Sequence, residues 1–152
     1  MARMNRRQAL SGAGALAGAA LLGGLLARAA HATPEQAKEL LQTLAKGEAK
    51  PGKVSIKAPE IAENGNAVPV TIAVDSPMTA ESYVKAVHVV ADGNPNPGVA
   101  SFTFSPACGK CEAQFRLRLA KTQKIIAVAE LNDGSLWTAQ HEVKVTIGGC
   151  GG

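Results

Sequence analysis

Residues 67–78, AVPVTIAVDSPM, form the stretch of the chain that decides its fold. Large apolar residues occupy every second position in it, namely Val68, Val70, Ile72 and Val74. Successive side chains of a β-strand point to opposite faces of a sheet, so this period of two predicts a strand with one buried face. A proline and a serine follow the run and end it, as expected where a strand gives way to a turn.

The same pattern recurs from Lys53 onward. Short runs rich in Val, Ile, Thr and Phe are separated by Pro, Gly, Asn and Asp, which predicts an antiparallel β layout. The predicted strands are 53–57, 67–75, 82–90, 99–105, 111–118, 123–131 and 136–147. Turns are predicted at 64–66, 93–98, 109 and 132–134. About seven strands in about 100 residues indicate a mainly β fold, an immunoglobulin-like antiparallel β-sandwich of two sheets.

A short helix is predicted before the strands. Thr33, Pro34 and Glu35 supply an N-cap hydroxyl, a proline for the first turn and an acid that complements the helix dipole. Leucines at 40, 41 and 44 give residues 34–46 an apolar face for core packing, and Gly47 is a plausible stop.

The N-terminal 32 residues are typical of a cleaved export signal. Arg6 and Arg7 precede an uncharged Ala/Gly/Leu segment, and Ala30-His31-Ala32 fits a small-residue cleavage site. The paired arginines resemble a twin-arginine signal, which predicts a periplasmic protein. We therefore divide the chain into the signal peptide, 1–32, a helix and sandwich domain, 33–147, and a C-terminal arm, 148–152.

The net charge of the predicted mature chain is close to zero. The chain has 16 Lys and Arg against 12 Asp and Glu, and the signal removes four arginines, leaving 12 of each sign. This balance gives no electrostatic argument for binding nucleic acid or a membrane surface, so we expect neither partner and no membrane insertion.

The arm carries one thiol between two pairs of glycines, Gly148, Gly149, Cys150, Gly151 and Gly152. Glycine loses much backbone freedom on ordering, so we expect a flexible thread that extends the thiol roughly 10 to 15 Å beyond Ile147 at ~3.5 Å per residue. No Lys, Arg or His follows Ile147 to activate the thiol. Two roles for Cys150 therefore stay open. It is either an attachment site that enters the active sites of other proteins, or a cysteine that makes an interchain disulfide.

Cys108 and Cys111 form the second cysteine motif. Their spacing suits a redox dithiol or half a zinc site, but no helix start or second ligand pair completes either arrangement. In an oxidising compartment we expect a local disulfide that closes the turn, and a bond to a partner chain is the next alternative. Neither a metal nor a cofactor is predicted.

Other candidate catalytic groups are scattered. His88 and His141 lie on predicted strands without a triad-like set of Ser, Cys or carboxylate neighbours in the sequence, so we interpret both as structural. Asp92, Glu130 and Asp133 lie at or near predicted turns, where solvated carboxylates are ordinary. The motif Asn94-Pro95-Asn96-Pro97 indicates a stiff turn that shapes a surface.

Several of these segments together resemble the SoxY family, the sulfur carriers of the thiosulfate-oxidising Sox system. They are the twin-arginine-like leader, 70–78, 94–97, 116–120 and 143–152, with the terminal Gly-Gly-Cys-Gly-Gly as the most specific mark. The resemblance covers nearly the whole chain. Cys108 and Cys111 depart from the family pattern.

The resemblance implies a periplasmic carrier without a cofactor, which is not itself an enzyme. Thiosulfate-derived intermediates would be bound covalently at Cys150, and a SoxZ-like subunit would complete a heterodimer. A haem c sulfur transferase, a sulfate-releasing hydrolase and a sulfane dehydrogenase would act on the cargo. Two other hypotheses stay open: an exported interaction module with a disulfide through Cys150, and a thiol oxidoreductase that uses Cys108 and Cys111.

Overall fold

A computed structural model describes residues 33–149 of the chain. The predicted signal peptide, 1–32, and the last three residues of the arm, Cys150, Gly151 and Gly152, lie outside the described residues. Within them, one helix precedes two β-sheets that pack face to face, so the predicted mainly β sandwich is confirmed. No helix among the described residues is long and apolar enough to cross a membrane.

Helix α1 spans Pro34–Leu44. Its start is the predicted one: the Thr33 hydroxyl accepts from the Gln36 amide at 3.4 Å, and the Thr33 amide donates to Gln36 Oε1 at 3.0 Å. These reciprocal bonds form a capping box, which satisfies free donors of the first turn. The helix ends two residues earlier than predicted, because the backbone of Ala45 is already extended.

All seven predicted strands are present, each within two residues of its predicted bounds. Two further strands of two residues each, Lys50–Pro51 and Ile61–Ala62, were missed, because so short a segment has no period to detect. The nine strands of the described chain are β1 Lys50–Pro51, β2 Val54–Lys57, β3 Ile61–Ala62, β4 Val68–Val74, β5 Val84–Ala91, β6 Gly98–Thr103, β7 Cys111–Leu117, β8 Gln123–Leu131 and β9 Leu136–Val145.

The larger sheet has the order β1-β9-β8-β5-β6, and β3 also pairs with β9. The smaller sheet has the order β2-β4-β7. Pairing is antiparallel except for β1 and β3, which run parallel to β9. Since β3 pairs with Lys144 and Val145, it supports the last residues of β9, directly before the arm.

The main core lies between the two sheets. The four apolar residues of β4 are all buried and face this core, as their alternation predicts. Strand β8 does not alternate as cleanly, because α1 covers part of the outer face of the larger sheet. Val128 is buried there beside Ala45 and Leu136, whereas Ile125 and Ala127 face the main core.

Candidate functional site

The root of the arm is fastened to the body after β9 ends. The Thr146 amide donates to the Ala62 carbonyl at 3.1 Å, and the Thr146 hydroxyl donates to the Glu63 carbonyl at 2.9 Å. On the other side, the Val145 amide donates to the Thr122 hydroxyl at 2.9 Å. Hydrogen bonds on both sides thus hold the chain at the point where it leaves the sheet. The next side chain, Ile147, is 68% exposed.

Backbone hydrogen bonds continue into the arm itself. The Gly65 amide donates to the Ile147 carbonyl at 2.8 Å, and the Gly149 amide donates to the Leu119 carbonyl at 2.9 Å. Gly65 and Leu119 are also joined, since the Leu119 amide donates to the Gly65 carbonyl at 2.8 Å. We call Gly65, Leu119 and Ala120 the arm seat. The first two glycines of the arm are therefore docked on the body.

Close packing explains why glycine occupies these positions. A Cβ on Gly148 would overlap the carbonyl oxygen of Ala120, and a Cβ on Gly149 would lie 2.8 Å from the carbonyl oxygen of Gly65. A Cβ on Gly65 would overlap the Leu119 carbonyl oxygen. None of these three glycines has a φ in the left-handed region. The missing Cβ provides room for backbone to approach backbone, the other use of glycine beside flexibility.

The loop that carries Leu119 and Ala120 is held by a buried polar pair, Asn94 and Gln123, which we call the polar brace. Their side chains are only 3% and 5% exposed. Asn94 Nδ2 donates to the Arg118 carbonyl at 2.8 Å, and Asn94 Oδ1 accepts from the Ala120 amide at 3.0 Å and from Gln123 Nε2 at 2.8 Å.

Gln123 ties this loop to the turn before β6. Its Oε1 accepts from the Gly93 amide at 2.7 Å, and its Nε2 also donates to the Lys121 carbonyl at 3.1 Å. The sequence predicted the turn around Asn94 but not its buried hydrogen bonds. Asparagine can donate and accept at once, so it can bridge a carbonyl and an amide of another loop, but only the fold brings that loop to it.

Cys108 and Cys111 are free thiols here, the first exposed and the second only 4% exposed. Cys108 ends a short 3₁₀ turn, Pro106–Cys108, and Cys111 begins β7. Burial raises the pKa of Cys111 to about 11, with a smaller contribution from the neighbouring Cys108. The predicted disulfide between them stays a prediction.

The length of β7 separates Cys108 and Cys111 from the arm seat. Cys111 lies at the start of this strand and Leu117 at its end, only two residues before the arm seat begins at Leu119. Six residues of extended chain span about 20 Å at ~3.3 Å per residue. The structure therefore does not bring Cys108 and Cys111 to the arm.

His88 has a serine neighbour that the sequence analysis missed. Its Nδ1 lies 2.8 Å from the Ser101 hydroxyl, because the β5–β6 register places the two residues opposite each other. Burial lowers the pKa of His88, and the charge of Glu130 opposes that shift. Glu130 is bound by Lys85 at 2.9 Å, and no hydrogen bond in the described chain joins it to His88. The three groups thus do not form a Ser-His-carboxylate relay.

The remaining candidates do not gather into a site. His141 Nε2 is buried without a hydrogen-bond partner. Across residues 33–149, no three His, Cys, Asp or Glu side chains lie close enough together to hold a metal ion. A groove of about 520 Å³ runs between β6 and β7, and its lining includes Asn94, Phe102, Phe115 and Arg118. One end of this groove thus lies beside the polar brace.

The family model described as "Sulfur oxidation protein SoxY" matches residues 37–150. The chain belongs to the SoxY family. The match spans the sandwich, both docked glycines and Cys150. The predicted family resemblance is therefore confirmed, whereas no curated protein sequence matches the chain significantly.

A solved SoxY structure agrees with this family assignment, and solved superoxide reductases share the fold. The sulfur carrier protein SoxY from Chlorobium limicola f thiosulfatophilum is 34% identical to the chain, with a TM-score of 0.64 over 76% of this chain and 100% of that one. A superoxide reductase (neelaredoxin) from Ignicoccus hospitalis is 25% identical, with a TM-score of 0.54 over 75% and 94% of the two chains.

A third similar structure, a putative superoxide reductase from Thermotoga maritima, is 22% identical, with a TM-score of 0.55 over 64% of this chain and 93% of that one. Its likeness to this SoxY-family chain is one of fold. The same sandwich is thus found in proteins of different stated activity, so function has to be argued from the arm and its seat.

Proposed function

We propose that this SoxY-family chain is a periplasmic sulfur carrier that holds thiosulfate-derived intermediates covalently on Cys150 and presents them to partner enzymes. The observation that carries the proposal is the docked arm: Gly149 is hydrogen bonded to the body one peptide bond before Cys150. The family match reaches Cys150, and the similar Chlorobium protein is described as a sulfur carrier.

The loading step needs an oxidant that a partner supplies. A bond would form between Cys150 Sγ and the sulfane sulfur of thiosulfate, the thiol would give up its proton, and a sulfur transferase would accept the two electrons one at a time through its haem c. A hydrolase then consumes water and releases the terminal sulfone as sulfate with two protons. A persulfide anion stays on Cys150 for oxidation by a sulfane dehydrogenase.

The composition of the arm seat bears on which protein activates the thiol. Gly65, Leu119 and Ala120 contact Gly148 and Gly149 through backbone atoms, and none of these three has an ionisable side chain. A thiol with an ordinary pKa near ~8.5 is a modest nucleophile at neutral pH. Thiol activation is therefore assigned to the partners, and a SoxZ-like subunit is the proposed second half of the carrier.

A reconstituted sulfur-oxidising system tests the proposal with two matched variants. Cys150→Ser is expected to abolish thiosulfate-dependent electron transfer while melting temperature and pairing with the second subunit stay unchanged. The control, Cys108→Ser/Cys111→Ser, removes two thiols and leaves the arm intact, so it is expected to retain turnover. Activity retained by Cys150→Ser would rule out the carrier role.

Export is tested separately. Removal of residues 1–32 by a signal peptidase predicts that the protein isolated from the periplasm begins at Thr33, which N-terminal sequencing would read directly. A protein that retains these residues, or that is found only in the cytoplasm, would contradict the assigned compartment without affecting the chemistry of Cys150.

A further inference from the structure

We propose that the arm is strapped to the body as far as Gly149, the residue before the thiol, and that the polar brace sets the position of the strap. This inference deepens the proposed function, because it states how the carrier thiol is placed. The glycines of the arm are usually expected to make a loose thread. Here the two that precede the thiol fit a surface that accepts only glycine.

The strap consists of two hydrogen bonds between arm and body, and a third, within the body, joins them into a ring. The Ile147 carbonyl accepts from Gly65, Gly65 accepts from Leu119, and Leu119 accepts from Gly149, each at 2.8 or 2.9 Å. Each of these groups would otherwise need water or another partner, so docking satisfies backbone groups at the end of the chain. Gly149 is buried in the docked arm, which excludes water from its bond.

The strap shortens the reach of the thiol. An arm that moved freely from Ile147 would carry Cys150 over three residues, or roughly 10 Å at ~3.5 Å per residue. An arm held at Gly149 leaves Cys150 within ~3.8 Å, Cα to Cα, of a fixed point on the sandwich. A partner enzyme must then either approach the seat or break both bonds of the strap.

The polar brace acts on the arm through the seat. Asn94 is bonded to Arg118, Ala120 and Gln123, and Leu119 lies between the first two of these on the same loop. Loss of the Asn94 amide would leave the Arg118 carbonyl and the Ala120 amide without these partners. The loop would then shift, and with it the carbonyl that accepts from Gly149. Asn94 and Gln123 are thus positioning residues.

Amide hydrogen exchange, read by NMR on the mature chain, tests the strap. The Gly149 amide is expected to exchange about tenfold or more slowly than in a peptide of the last ten residues. Gly148→Ala places a methyl group against the Ala120 carbonyl, so it should return Gly149 to the peptide rate. The control is Gly151→Ala, the same substitution on the other side of Cys150, which should leave Gly149 protected.

A second pair of variants tests the brace. Asn94→Ala is expected to raise Gly149 exchange about tenfold and to shift its amide resonance, although the side chain of Asn94 has no hydrogen bond to Gly148 or Gly149, the described residues of the arm. Thr33→Ala serves as the control, because it removes the N-cap of α1 and none of the hydrogen bonds of the brace or the seat. It should lower the melting temperature and leave Gly149 exchange unchanged relative to the amides of β8.

Two results would overturn the inference. One is a Gly149 amide that exchanges at the peptide rate in the unchanged protein. The other is an equal effect of Gly148→Ala and Gly151→Ala, as expected of a loose thread. Neither result bears on whether Cys150 holds sulfur, which the reconstituted turnover of Cys150→Ser decides, so failure of the strap and failure of the carrier role are distinguishable.

Discussion

At the scale of the single residue, burial decides the chemistry of Cys111. The raised pKa of this thiol, about 11, lowers the fraction of reactive thiolate at pH 8 by about two orders of magnitude relative to an ordinary cysteine. A thiol oxidoreductase needs the opposite shift. The hypothesis of a redox dithiol at Cys108 and Cys111 is therefore disfavoured by the surroundings of its second member.

Alkylation measures this difference. Under reducing conditions at pH 8, iodoacetamide is expected to modify the exposed Cys108 at least about tenfold faster than the buried Cys111. Peptide mapping by mass spectrometry gives both rates in one sample, and Cys108→Ser isolates the slow one. Equal rates at the two positions would show that Cys111 is accessible and ionised, contrary to this description.

His88 provides a pH-dependent contribution to stability. Burial holds the pKa of the folded imidazole below the unfolded value of 6.5, so the unfolded chain binds more protons as pH falls through that value. The contribution of His88 is therefore complete above pH 6.5 and is lost progressively below it. Thermal unfolding from pH 7.5 downward should show a shallower acid-side fall in melting temperature for His88→Gln. An unchanged slope would contradict the assignment.

At the scale of the element, the alternation of apolar residues in the strands and the N-cap of α1 determine the local structure. The period of two in β4 predicts both the strand and its buried face, and each inward residue has a partner on β7, from Val68 opposite Leu117 to Val74 opposite Cys111. The helix start follows from Thr33, whose hydroxyl and amide are both used in the capping box. These features are local, so the sequence predicts them well.

The start of α1 gives a quantitative prediction. Thr33→Ala removes the side-chain acceptor for the Gln36 amide, which is expected to lower the free energy of unfolding by ~1 kcal/mol. Urea denaturation followed by circular dichroism measures the change. Thr33→Ser keeps the hydroxyl and should behave like the unchanged protein; a loss as large as that of alanine would mean that the cap is not responsible.

The elements that sequence analysis missed depend on contacts between distant segments. β1 and β3 exist because β9 offers them an edge, and two residues show no pattern. The thiol arm was predicted from composition alone. Its seat was not, since Gly65 and Gly149 are far apart in the sequence and only the β3–β9 pairing brings them together. The Ser101 neighbour of His88 depends in the same way on strand register.

At the scale of the whole molecule, the sandwich is a rigid support for the short C-terminal arm. β9, the central β8 and the polar brace fix the point at which the arm emerges, and Cys150 follows directly after the docked Gly149 in the sequence. The superoxide reductases with a similar sandwich differ in stated activity from the SoxY sulfur carrier. The functional argument for this chain therefore rests on the thiol and on the arm seat.

The most direct test is the intact mass of the mature protein after incubation with thiosulfate and the partner enzymes, with and without reductant, followed by fragmentation. The carrier account predicts added sulfur that reductant removes and that maps to Cys150 alone, and no added mass on Cys150→Ser. An unmodified Cys150 beside a Cys108–Cys111 disulfide, or an adduct that persists in Cys150→Ser, would contradict it.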